Sequence, residues 1–117
     1  MKTIVMDGKE VALIRNALSP IVYRRIFHKD YIAQMSNMEK SKDISGDIVE
    51  LYTEMTFVMA MQASKQPEEL KKLSEEDYFV WLSQFDDPYA VSRVLEEIVN
   101  YYNEQELATS TAKKEEG

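Results

Sequence analysis

Thr3-Ile4-Val5-Met6-Asp7-Gly8-Lys9-Glu10-Val11-Ala12-Leu13-Ile14 opens the chain with two runs rich in β-branched and apolar residues, separated by Asp7-Gly8. Val, Ile and Thr suit a pleated surface, where their restricted χ1 costs little. Asp-Gly supplies the two positive-φ residues of a type I′ turn, so Thr3–Met6 and Glu10–Ile14 are expected to pair as a β-hairpin. A lone hairpin is marginal in water. Its apolar face must therefore pack against helices or a partner's strand, and its two open edges point to self-association.

From Ser19 the apolar spacing changes to threes and fours. Ser19-Pro20 offers an N-cap followed by the proline tolerated in a first helical turn. Val22, Tyr23, Ile26 and Phe27 share one side, with Arg24, Arg25 and Lys29 on the remainder; Tyr31, Met35 and Met38 continue after a break near Asp30. Glu39-Lys40-Ser41-Lys42-Asp43 is polar and is expected to be a loop. A long helix starts at Ser45-Gly46-Asp47, with Ile48, Leu51, Tyr52, Met55, Val58, Met59 and Gln62 on one stripe and Glu50 and Glu54 toward water. Lys65-Gln66-Pro67 ends it, because the residue before proline is pushed out of the α region.

A short helical segment is expected between Glu68 and Leu73. Ser74-Glu75-Glu76-Asp77 then forms a capping box and opens a helix burying Tyr78, Trp81, Leu82 and Phe85. Asp86-Asp87-Pro88 repeats the cap-then-proline signal ahead of a last amphipathic helix carrying Val91, Val94, Leu95, Ile98, Tyr101, Tyr102 and Gln105. The expected fold is α+β: an N-terminal hairpin and four to five packed helices in one domain over residues 1–108. Residues 109–117 hold no large apolar side chain, so they are expected to form a disordered tail.

The whole chain has 117 residues, with 14 Lys+Arg against 21 Asp+Glu, a net charge of −7. Such acidity disfavours a free-standing nucleic-acid binder, whose affinity comes largely from neutralising phosphates. No cysteine is present, which removes disulfides, thiolate metal sites and a cysteine nucleophile. No apolar run is long enough to span a bilayer, and Asp7 and Gly8 come too early for a secretory leader, so a soluble intracellular protein is expected. Charge is unevenly spread. Residues 1–30 hold six basic and three acidic side chains, whereas residues 43–108 hold four basic and fifteen acidic. The two regions could attract one another within a monomer or between copies.

No constellation for catalysis stands out. The single histidine, His28, has no second histidine at metal-ligand spacing and reads as a helix-end or partly buried side chain. With Gly8, Gly46 and Gly117 as the only glycines, there is no phosphate-cradling loop. Glu50 with Glu54, Glu75-Glu76-Asp77 and Asp86-Asp87 read as solvated surface and helix-start acids. Neither a catalytic residue nor a metal or cofactor ligand is assigned. Phe79 and Val80 fall outside the stripe of Tyr78, Trp81 and Phe85, and Met61 lies off the stripe of the long helix. These three are the candidate partner-binding residues, because an additional apolar face on a short helix suits a second contact surface.

The order of parts carries a resemblance. The hairpin Met1-Lys2-Thr3-Ile4-Val5-Met6-Asp7-Gly8-Lys9-Glu10-Val11 leads into Ser19-Pro20-Ile21-Val22-Tyr23-Arg24-Arg25-Ile26-Phe27-His28-Lys29-Asp30-Tyr31. The acidic helix with Tyr52, Met55, Phe57-Val58-Met59-Ala60 and Gln62-Ala63 follows. Asp77-Tyr78-Phe79, Trp81-Leu82, Gln84-Phe85-Asp86 and the closing amphipathic helix complete it. This series, over roughly residues 1–107, resembles the tail assembly chaperones of long-tailed bacteriophages and prophages of Gram-positive bacteria. The resemblance implies a non-enzymatic protein of the bacterial host cytoplasm that binds the tape measure protein, prevents its aggregation, helps recruit tail tube subunits and is missing from mature virions. It also implies a longer frameshifted form in many members; Ala112-Lys113-Lys114 is compatible with a slippery codon run, though two lysines in a charged tail need no such explanation. The alternative is a small structural virion protein, such as a head–tail connector or tail completion protein, which would self-associate through its hairpin.

Overall fold

The computed structural model describes residues 1–41 and 46–103. Strands β1 (Lys2–Met6) and β2 (Lys9–Leu13) pair antiparallel with Met6 opposite Lys9, leaving Asp7-Gly8 as a two-residue turn. Both turn residues have positive φ, 52° at Asp7 and 75° at Gly8, as a type I′ turn demands. Ile4, Met6, Val11 and Leu13 are buried on the inner face, while Thr3, Val5 and Glu10 face outward. The hairpin thus packs on the protein's own helices.

The hairpin is followed by α1 (Leu18–Phe27), α2 (Tyr31–Ser41), α3 (Gly46–Ser64), α4 (Pro67–Leu70) and α5 (Glu75–Leu82). A 3-10 turn at Ser92–Val94 then leads into a last helix, α6, over 95–103. The architecture is α+β. Helix α3 is its centre: every residue from Glu54 to Ala60 is buried, because the hairpin, α1, α2, α4 and α5 surround it. A helix enclosed on all sides loses its polar face. Phe57, off the expected stripe, is fully buried, its ring 5.3 Å from that of Tyr78, 5.7 Å from Trp81 and 6.4 Å from Phe27. No helix among the described residues is long and apolar enough to cross a membrane.

Several expected boundaries move. Helix α1 begins at Leu18, so Ser19 lies inside it, buried, and is not its N-cap. The N-cap position falls on Ala17, which has no polar side chain, and Asn16 just before it takes up the first N–H groups: its side-chain oxygen accepts from Leu18 N–H at 2.9 Å and its carbonyl from Ser19 N–H at 3.0 Å. The Ser19 hydroxyl donates to Gln62 at 2.6 Å, and Gln62 donates to Asn16 Oδ1 at 2.7 Å. This closed polar network fastens the start of α1 to the end of α3 and satisfies buried groups that would otherwise be costly. The break near Asp30 is present, with Asp30 accepting from Ala33 N–H at 3.1 Å. Helix α2 continues through Ser41, so residues 39–41 are helical where a loop was expected; Glu and Lys are good helix formers and nothing there breaks the helix.

The last helix also starts later than its cap-then-proline signal suggested. Asp86 and Asp87 present their N–H groups to the Asp7 carboxylate of the hairpin turn, at 2.8 and 3.4 Å. Asp87 in turn accepts from Tyr89 N–H at 2.9 Å and pairs with Arg93 at 2.5 Å, which holds its carboxyl below the usual carboxylate range. The segment is thereby wound into turns before α6 begins. Tyr101 of α6 donates to the Leu13 carbonyl at 3.3 Å, and Arg15 lies over the Tyr102 ring at 4.7 Å, so α6 returns to the hairpin's end. The expectations for Ser45, Gln105, the Met38 side chain, the domain end at 108 and the tail at 109–117 lie outside the described residues.

Candidate functional site

Helix α5 owes its start to the Ser74–Asp77 capping box, in which Asp77 accepts from Ser74 N–H at 2.9 Å. Glu75 and Glu76 add negative charge at the helix N-terminus, where the backbone dipole favours it. Tyr78 and Trp81 are buried against α3 and α1: the Tyr78 ring stands edge-on to Phe27 at 5.0 Å. Their neighbours Phe79 and Val80 consequently point outward, 63% and 66% exposed. Helical spacing puts Glu75 and Glu76 one turn before Phe79 and Val80 on that same outer side. The result is a short ridge with an acidic front and an apolar back.

Beside α5 lies an open groove of about 580 Å³. Val49 and Thr53 of α3, Tyr78 and Leu82 of α5, and Phe85 and Tyr89 beyond it line its walls, with Glu50 and Asp87 supplying acid. Tyr89 is exposed at its edge. Such a trough can accept an apolar face of another segment, with basic residues matched to its acids. A second, smaller hollow of about 160 Å³ lies between α1 and α4, lined by Leu18, Ile21, Val22 and Leu70 and flanked by Arg25 and Lys71.

A buried polar cluster is the feature that helical spacing concealed. Glu54 was expected toward water; it is 4% exposed. Its carboxylate accepts the Tyr23 hydroxyl at 2.6 Å and lies 3.3 Å from Lys29 Nζ. Burial first, and the Glu54 carboxylate second, push the Tyr23 hydroxyl well above its ordinary range, so this phenol keeps its proton. A shallow pocket of about 220 Å³ opens at Lys29, Gln34, Asp47, Glu50 and Glu54. The cluster ties α1 to α3 with a protonated phenol and an ion pair, which is a fastening arrangement and not an activated nucleophile.

Of the three residues singled out from the sequence, Phe79 and Val80 stand together on the α5 ridge. Met61 is on α3, half-buried and packed against the core, so it contributes far less free surface. His28 is exposed and caps α1 in a left-handed conformation, φ 58°, donating its N–H to the Arg24 carbonyl at 2.9 Å. Among the described residues, no group of three His, Asp or Glu side chains could hold a metal ion. Comparison with protein-family models, with curated proteins and with solved structures gives no match.

Proposed function

We propose that this protein is a non-enzymatic assembly chaperone whose client is the tape measure protein of a long-tailed phage. Exposed apolar residues scattered singly are normal on any soluble protein. Two adjacent large ones on an eight-residue helix are a different matter when the helix also walls an apolar groove, and this is the observation that carries the reading. An amphipathic client helix would lay its apolar side over Phe79 and Val80, and the groove walled by Tyr78 and Leu82 on the other flank of α5 would offer a further apolar surface to the client. Glu50, Asp87, Glu75 and Glu76 would meet basic residues flanking that side. The acidity of the remaining surface would keep the loaded complex soluble and away from nucleic acid.

The test is co-purification of the tape measure protein with wild type and with Phe79→Glu/Val80→Glu. Both side chains are exposed, so far-UV circular dichroism should be unchanged while the client is lost. A folded variant that still retains the client removes the ridge as its contact. Mass spectrometry of purified virions separates the chaperone, which should be missing from mature particles, from a structural virion protein, which would be present in fixed copy number.

A further inference from the structure

The ridge on α5 and the hollow between α1 and α4 are complementary, and we propose that the α5 ridge of one copy seats in the α1–α4 hollow of a second copy. Size is the first reason. An enclosed cavity of about 150 Å³ lined by apolar side chains holds a benzene-sized ring; the hollow, open to the surface, measures about 160 Å³ and is walled by Leu18, Ile21, Val22, Pro67 and Leu70. Phe79 presents one such ring, with Val80 beside it. Aromatic side chains anchored in apolar pockets carry much of the affinity at protein interfaces.

Charge is the second reason. On a molecule of net charge −7, the hollow is flanked by Arg25 and Lys71, with Arg24 exposed nearby on α1. The ridge brings Glu75 and Glu76, both exposed and one turn ahead of its apolar pair. Seating Phe79 in the hollow would bring acids toward bases. The hollow also retains free apolar surface on its own α1 wall, since Ile21 is 63% exposed. The contact joins two different patches of the same chain, so each copy offers both halves, and repetition builds a closed dimer, a ring or a chain. Free protein would thereby cover the surface that the proposed client needs, and client binding would compete with self-association.

The experiment uses the purified full chain alone, with no client, so it stands or falls apart from the proposed function. Sedimentation velocity over a range of concentrations should show reversible association that weakens as salt is raised, because exposed ion pairs are screened. Phe79→Asp and, separately, Ile21→Asp should each raise the dissociation constant at least tenfold. Glu75→Lys/Glu76→Lys should lose self-association, as should Arg25→Glu/Lys71→Glu. Mixing these two charge-reversed proteins should restore a complex. Circular dichroism confirms that each variant is folded. A wild type that stays monomeric at every concentration overturns the proposal, as does an oligomer indifferent to Phe79→Asp or a failure of the mixed pair to associate.

Discussion

Removing the Tyr23 hydroxyl should cost more alone than together with its acceptor. In Tyr23→Phe, the Glu54 carboxylate stays buried, loses a 2.6 Å charge-assisted bond and keeps only the partly exposed Lys29. A hydrogen bond to a charged group is worth about 1.5–3 kcal/mol. In Glu54→Leu, the Tyr23 hydroxyl is left buried without this partner, about 1–3 kcal/mol, and the Lys29 pair, discounted for exposure, adds no more than about 1 kcal/mol. Each single change should therefore destabilise by about 2 kcal/mol. The double variant removes donor and acceptor together and should lie within about 1 kcal/mol of wild type, because well-packed apolar replacement of a buried polar pair is often nearly neutral. The assay is urea unfolding of the four proteins, reading midpoint shifts at constant m-value. A coupling of at least about 1.5 kcal/mol is expected; single effects that add to within about 0.5 kcal/mol would refute the placement of Glu54 inside the fold.

Gly8→Ala should lower stability by about 1–2 kcal/mol from backbone strain alone, since φ is +75° and nothing crowds the added Cβ; Gly8→Asn should cost less, by the same urea assay. Asp7→Ala should expose the 86–94 connection to faster amide hydrogen exchange, because Asp86 and Asp87 lose the carboxylate that accepts their N–H groups. Burial raises the hydroxyls of Tyr23, Tyr31 and Tyr78 far above their ordinary range. The folded state therefore holds protons that the unfolded state releases above pH about 10, and stability should fall as pH rises through that point, with tyrosinate absorbance from these three appearing only on unfolding. Phe57→Ala should cost about 3–5 kcal/mol, the range for emptying an aromatic core site.

The hairpin was legible because Asp7-Gly8 restricts the turn locally, and no distant group is needed to select it. The ridge was legible for the opposite reason: Phe79 and Val80 do not fit the stripe that Tyr78, Trp81 and Phe85 define, and the structure leaves them outside. Glu54 escaped notice because its i+4 relation to Glu50 implies a common wet face, whereas its partners are Tyr23 of α1 and Lys29 just beyond the end of that helix, both distant in the chain. The segment ahead of α6 is tied by its Asp86 and Asp87 N–H groups to Asp7, some eighty positions away in the chain, and no local pattern reveals that partner. Nor does any single segment contain the α1–α4 hollow. Its walls come from α1 and from Pro67, Leu70 and Lys71 some fifty positions later, and Gln62, Ser19 and Asn16 help hold the start of α1 against the end of α3, just before α4 begins.

The proposed chaperone role requires that the outer face of α5 keep another protein's apolar helices in solution. Light scattering of the tape measure protein released from denaturant, in the presence of equimolar wild type or Phe79→Glu/Val80→Glu, measures this directly. Wild type should hold the scattering near baseline while the folded double variant lets it climb as if nothing had been added. Equal protection by both proteins, or none by wild type, would contradict it.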